Sequence, residues 1–172
     1  MKNIVISTLP REHKEAAAVI LELKEKFPAI EVLYAEDYKI AACVGCNYCW
    51  LKTPGVCSIQ DDYPKFYKKY LAADHILFLT ETKLGFVSYK MKNMVDRLVP
   101  LDMMYLKVKD GQMRHRPRYD KELKMGVLYI GEGDETYLSH WMDRVMLNLS
   151  GISLEAYGVE RRKELYHALN NH

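Results

Sequence analysis

The stretch NIVISTLPREHKEAAAVILELKEKF, residues 3–27, indicates the class of fold. Its first five residues form a short apolar run rich in β-branched side chains, which is typical of a strand buried on both faces. From residue 11 to residue 27 apolar residues return at the spacing of one helix face, with Glu and Lys on the other. A buried strand followed by an amphipathic helix predicts the first unit of a parallel sheet with crossover helices.

The same alternation continues along the chain. Further apolar runs predict strands at 30–35, 75–81, 124–131 and 152–159. Helices are predicted after the capping residues Asp61, Asp62 and Pro64, between Ser88 and Pro100, over 134–149 and at the C-terminus. The turn pair Asp110-Gly111 predicts a hairpin excursion near 105–118. The pattern predicts an α/β fold: a doubly wound five-stranded parallel sheet in a single domain, residues 1–172.

Composition limits the classes of function and partner. A chain of 172 residues, 49% hydrophobic and 28% charged, can bury one compact core. The net charge of +2 gives no global reason to expect a nucleic-acid partner. No apolar run approaches the roughly 20 residues that span a bilayer, and the N-terminal apolar run is too short for a secretory signal. We therefore expect a cytoplasmic protein without a membrane partner.

The segment ACVGCNYCWLKTPGVC, residues 42–57, holds all four cysteines of the chain: Cys43, Cys46, Cys49 and Cys57. In a reducing compartment such a set favours metal binding or redox chemistry over structural disulfides. Three cysteines at intervals of three and a fourth after a loop can wrap a [4Fe-4S] cluster. A tetrahedral zinc site and free thiols packed in a loop are the alternatives, and the spacing leaves all three open.

Three stretches together resemble a known family. They are CVGCNYCWLKTPGVCSIQDDY (43–63), GFVSYKMKNMVDRL (85–98) and DGQMRHRPRY (110–119). They look like the flavodoxin-fold NAD(P)H-dependent FMN reductases, and the cysteine spacing is similar to the iron-sulfur flavoprotein branch. The resemblance implies a flavodoxin-like strand order of 2-1-3-4-5, FMN at the carboxyl ends of the strands and a homodimer or homotetramer. It also implies electron transfer between a [4Fe-4S] cluster and FMN, with NAD(P)H as donor or a redox protein as partner.

The loops that would hold FMN differ from the family pattern. In STLPREHKEA (7–16), Pro10 and Arg11 match, but Thr8 and Leu9 replace a Gly-Ser pair and Glu15 stands where a polar residue is expected. In TETKLGF (80–86), Thr80 and Gly85 match. The predicted cofactor-binding residues are Ser7, Thr8, Arg11, His13, Lys14, Thr80, Thr82, Lys83, Leu84, Gly85, Phe86 and Gly131. The predicted metal ligands are the four cysteines.

The leading hypothesis is a cytoplasmic FMN-dependent oxidoreductase of the iron-sulfur flavoprotein type. Because the flavin itself carries the chemistry, no catalytic side chain is named. Lys83 is either a solvated loop lysine or a partner of the reduced flavin, and Trp50 covers the cluster, the flavin or the core. Asp96 and Arg97 are predicted to form a structural ion pair or an interface contact. The alternative hypothesis is a flavodoxin-like domain that has lost FMN and acts as a binding or assembly module.

Overall fold

A computed structural model describes residues 2–109 and 111–171 of the chain. Its central sheet contains five parallel strands: β1 (Asn3–Ser7), β2 (Glu31–Tyr34), β3 (His75–Lys83), β7 (Lys124–Ile130) and β8 (Ile152–Gly158). A two-residue strand, β4 (Phe86–Val87), pairs antiparallel with the end of β3. The order β2-β1-β3-β7-β8 confirms the predicted doubly wound sheet, since β7 and β8 are the fourth and fifth strands of the parallel set.

Helices cover both faces of the sheet. One face carries α1 (Lys14–Lys26) and α6 (Arg162–Asn171); the other carries α3 (Pro64–Ala72), α4 (Tyr89–Asp96) and α5 (Glu135–Asn148). Side chains of successive strand residues point to opposite faces of the sheet. In β1, Val5 packs with the first set of helices, whereas Ile4 and Ile6 pack with the second. Strand β1 is therefore buried on both faces, as its unbroken apolar run predicts, whereas the outer strands β2 and β8 are only partly buried. No helix among the described residues is long and apolar enough to span a bilayer.

The predicted hairpin is a separate two-stranded ribbon, β5 (Asp102–Lys109) and β6 (Gln112–Pro117). Asp110 lies outside the described residues, whereas Gly111 has a φ of +70°, as a tight turn requires. The ribbon is held against the end of α5 by the Arg114 guanidinium, which donates to the carbonyl of Leu147 at 3.1 Å.

Several helix boundaries confirm or correct the sequence predictions. Ser88 caps α4 by accepting a hydrogen bond from the Met91 N–H at 3.4 Å. The helix ends at Asp96, however, before Pro100, which lies in a short 3₁₀ turn. The predicted acidic cap of α3 is also wrong, because the N-cap residue is Tyr63 and no side chain caps it.

Candidate functional site

Three loops meet at the carboxyl edge of the sheet, where doubly wound folds bind ligands. They follow β1, β3 and β7. The Thr8 N–H donates to the Leu79 carbonyl at 2.9 Å, which fixes the start of the first loop against β3. A Cβ on Gly131 would lie 2.7 Å from Oγ1 of Thr82, so only a glycine lets the third loop approach this closely. The edge is therefore a single preformed surface.

Buried hydroxyl groups hold this edge together. Thr8 Oγ1 donates to Thr80 Oγ1 at 2.9 Å, and Thr80 Oγ1 lies 2.8 Å from Ser88 Oγ. Ser7 Oγ donates to the Leu9 carbonyl at 2.9 Å. Ser7, Thr8 and Thr80 were predicted to contact the cofactor, but their hydroxyls are buried and bonded within the protein. They position the loops, and in this conformation their hydroxyls are not offered to a ligand.

The turn between β3 and β4 presents exposed backbone at the same edge. Leu84 and Gly85 have φ values of +52° and +73°, and the Leu84 side chain is fully exposed. Phe86 anchors the turn by packing edge-on against Trp141, with ring centroids 5.0 Å apart. The exposed Lys83 ammonium pairs with Glu81 at 2.9 Å. An exposed apolar side chain beside accessible backbone groups fits the face and polar edge of a flavin ring.

The loop after β1 already holds two carboxylates. The Arg11 N–H and Nη1 each donate to Glu36 Oε1 at 3.1 Å, while Nη1 and Nη2 bind Asp37 at 2.7 and 2.5 Å. The guanidinium also lies 4.1 Å from the centroid of the Tyr34 ring. The hydrogen bond from Arg11 holds the pKa of Asp37 below its usual value. The N–H groups of Arg11 suit an anion, and the anions that they bind are two carboxylates of the protein itself.

The other two predicted residues of this loop are a helix cap and a surface lysine. His13 Nδ1 accepts a hydrogen bond from the Ala16 N–H at 3.3 Å and so caps α1. Lys14 is exposed in the first turn of the helix. Sequence reasoning missed Glu36 and Asp37, although a usable signal was present. They directly follow β2, and β2 lies beside β1 in the predicted strand order.

The four thiols lie on a loop whose base is closed. The Lys39 N–H donates to the Asp62 carboxylate at 2.9 Å, and the Asp62 N–H donates to the Lys39 carbonyl at 3.0 Å. Within the loop, α2 (Tyr48–Leu51) is a single helical turn. Trp50 joins it to the rest of the protein by donating to the Val99 carbonyl at 2.9 Å and stacking on His115. Trp50 therefore links the loop to the hairpin.

A buried ion pair secures the same base. The Arg97 guanidinium, 1% exposed, binds the carboxylate of Asp61, which is 8% exposed. It also donates to the Ala41 carbonyl at 3.2 Å. The predicted pairing of Asp96 with Arg97 is wrong: Asp96 pairs with Lys92 on the helix surface. Neighbouring helix residues point in different directions, so Arg97 reaches the cysteine loop instead.

All four cysteines are free thiols in different surroundings. Cys43 and Cys46 are exposed, Cys57 is half-buried and Cys49 is buried. The Ser58 hydroxyl, 3.3 Å from Cys46 Sγ, lowers the pKa of that thiol, whereas burial, and then the neighbouring thiols, raise the pKa of Cys49. Over residues 2–109 and 111–171, no three His, Cys, Asp or Glu side chains are arranged to hold a metal ion. Four cysteine thiols suit a [4Fe-4S] cluster, but this conformation does not bring them together around one point.

Comparison with curated proteins finds three relatives, all named iron-sulfur flavoproteins. An iron-sulfur flavoprotein of Archaeoglobus fulgidus is 40% identical over 100 residues, which are 56% of this chain and 48% of the relative. One from Methanocaldococcus jannaschii is 33% identical over 105 residues, 59% of this chain and 53% of the relative. The chain thus spans about half the length of these relatives.

Solved structures share the fold at low sequence identity. An NAD(P)H:quinone oxidoreductase from Methanothermobacter marburgensis has a TM-score of 0.63 at 14% identity, covering 99% of this chain and 96% of its own. An azoreductase from Bacillus anthracis has a TM-score of 0.57 at 14% identity, covering 99% and 95%. The family model described as NADPH-dependent FMN reductase matches residues 1–119. Because this match spans well over half of the sequence, the chain belongs to the NADPH-dependent FMN reductase family.

Proposed function

We propose that the chain is a flavin-dependent oxidoreductase that binds FMN at the carboxyl edge of its sheet. The turn of residues 83–86 carries this proposal, because Leu84 is fully exposed and the backbone at Gly85 is open to solvent. Membership of a family of FMN reductases supports the same ligand. A bound flavin would supply the transfer of hydride or single electrons, and a reduced nicotinamide is the proposed donor.

The chain's own residues would position the ring. Thr82 Oγ1 donates to the Ile130 carbonyl at 3.3 Å and so joins the second and third loops. The buried hydroxyls of Thr8, Thr80 and Ser88 keep the first loop at a fixed distance from the second. A surface fixed in this way binds a flat ligand without the cost of ordering loops.

Two glycines give this proposal a matched test. Gly85 and Gly111 have φ values of +73° and +70°, and a Cβ added at either would meet no atom within 4 Å. Changing either to valine adds the same backbone strain, about 1–2 kcal/mol. We expect Gly85→Val to weaken FMN binding ~10-fold or more, because the turn relaxes away from its open form. Quenching of flavin fluorescence measures the affinity.

Gly111→Val is the control, since Gly111 lies at the tip of the hairpin, away from the sheet edge. It should leave the affinity for FMN unchanged, and NADPH oxidation by the two variants should follow flavin occupancy. Equal affinities for FMN in both variants would place the flavin elsewhere. Failure of the unmodified protein to bind FMN would favour the alternative hypothesis of a binding module without flavin. The carboxylates that already bind Arg11 support this alternative.

The predicted [4Fe-4S] cluster rests on the donor set and on the names of the relatives, not on the conformation of the loop. It predicts about four irons per chain after anaerobic reconstitution with iron and sulfide. Cys46→Ser should lower the iron content, whereas Ser58→Ala, which removes a neighbour of Cys46 but no thiol, should not. Iron that is absent, or equal in both variants, would leave the thiols free.

A further inference from the structure

The carboxylates on Arg11 are placed by the sheet. Ser7 and Tyr34 are paired at the ends of β1 and β2, so the residues after Tyr34 lie beside the loop after Ser7. Residues 35–37 form a 3₁₀ turn there, which brings Glu36 and Asp37 to Arg11. The contact of Arg11 with the two carboxylates thus follows from the register of β2 against β1.

The network engages the donors that a phosphate would use. Both the N–H of Arg11 and its guanidinium bind Glu36, and the guanidinium makes a two-pronged contact with Asp37. Two-pronged binding of a carboxylate by Arg is geometrically the same as binding of a phosphate. A phosphate reaching this loop must therefore displace a carboxylate or share Arg11 with it.

The charge of the loop opposes a phosphate as well. Within residues 7–16 the charges of Arg11 and Lys14 are cancelled by those of Glu12 and Glu15. Glu36 and Asp37, which bind Arg11, bring the sum of formal charges to −2. Lys90 lines a cavity of about 200 Å³ beside Glu36 and reduces this excess without reversing it. A doubly charged phosphate gains little attraction from such surroundings.

We propose that Glu36 and Asp37 act as internal competitors for Arg11, so that the site accepts flavins with little regard to a 5′-phosphate. This inference rests on the proposed function, because it concerns the same flavin site. FMN and riboflavin, which share the ring and the ribityl chain, are then ligands of similar affinity. A flavin held without a strong phosphate contact exchanges readily, as a substrate does.

The experiment compares the two flavins in three proteins by quenching of flavin fluorescence. In the unmodified protein, FMN and riboflavin should bind within about threefold of each other, because contacts of an exposed anion contribute little. In the double variant Glu36→Gln, Asp37→Asn, FMN should bind ~10-fold or more tightly, since two nearby negative charges are removed. Riboflavin binding should stay unchanged, and so reports that the variant is folded.

A charge-matched control separates local from general electrostatics. Glu25→Gln with Glu122→Gln removes the same charge, but Glu25 is near the end of α1 and Glu122 precedes β7, at the opposite edge of the sheet. This control should bind both flavins like the unmodified protein. FMN bound more than about threefold tighter than riboflavin by the unmodified protein would overturn the inference and leave the proposed function standing. So would a double variant with unchanged FMN affinity, whereas binding of neither flavin would overturn both.

Discussion

Replacing Asp61 by alanine is expected to cost about 3–5 kcal/mol of the free energy of unfolding, because it leaves a buried guanidinium without its counter-ion. Arg97 is 1% exposed and its main ionic partner is Asp61. The same carboxylate accepts hydrogen bonds from the N–H groups of Ala41 at 2.9 Å and Tyr63 at 3.1 Å. Burial works against ionisation of Asp61, but the hydrogen bond from Arg97, together with those from Ala41 and Tyr63, outweighs it and keeps the pKa of Asp61 below the usual value. Urea denaturation at neutral pH measures the loss.

The adjacent aspartate is the matched control. Asp62 pairs with Lys65 at 2.6 Å on the surface, and such exposed pairs contribute little to stability because water screens them. Asp62→Ala should therefore cost far less than Asp61→Ala, although it also removes the acceptor of the Lys39 N–H. Replacing both buried partners, with Asp61→Leu and Arg97→Met, should recover part of the loss. Equal losses for the two alanine variants would show that the buried pair is not a special anchor.

The second large effect is a dependence of stability on pH that comes from Asp102. This residue is 6% exposed, and its Oδ1 has no hydrogen-bond partner among the described residues. Burial raises the pKa of its carboxyl to about 7, although Lys107 and Arg118 act in the opposite direction. The folded protein thus keeps a proton on Asp102 that the unfolded chain releases near pH 4.

The sign of the effect follows from this difference. Below pH 4 both the folded and the unfolded states carry the proton on Asp102. As the pH rises from 4 to 7 only the unfolded chain loses this proton, so the free energy of unfolding falls. Above pH 7 the free energy of unfolding levels off. Asp102→Asn stays neutral throughout and should lack this fall. We expect the two proteins to diverge by roughly 2 kcal/mol across this range, with partial solvent screening allowed for. Urea denaturation at a series of pH values measures this divergence in the free energy of unfolding. Asp96→Asn, at an exposed position, is the control. Parallel pH curves for Asp102→Asn and the unmodified protein would refute the prediction.

The parts of the fold that sequence could predict are those with a local cause. The central strands β1 and β7 are nearly unbroken apolar runs because both of their faces are covered. Helix α5 begins where Asp134 caps it, accepting from the Tyr137 N–H at 3.0 Å. The two-residue strand β4 and the single turn of α2 were missed, because such short elements have no periodicity to detect. Their existence depends on the neighbours that they contact.

Prediction of the candidate site from sequence is limited by the same dependence on distant neighbours, and to a greater extent. Arg11 was identified because its loop resembles the family pattern, yet its partners stand 25 and 26 positions further along the chain. Whether they meet Arg11 depends on the register of β2 against β1, which the amino-acid pattern of a four-residue strand does not determine. Asp61 was interpreted as a helix cap for a similar reason, since its partner Arg97 is 36 positions away. Residue types predicted the chemistry available at the edge, and tertiary pairing decided which groups remain free.

The closed base of the cysteine loop has a consequence for how the protein can change. Asp61, Asp62 and Trp50 tie the loop to the body of the molecule, while Cys43 and Cys46 lie on its exposed part. Exposed positions of this kind accept substitution at a cost within about 0.5 kcal/mol. Cys43 and Cys46 can therefore be gained or lost while the sheet and the anchored base of the loop keep their structure, whereas Cys49 is buried.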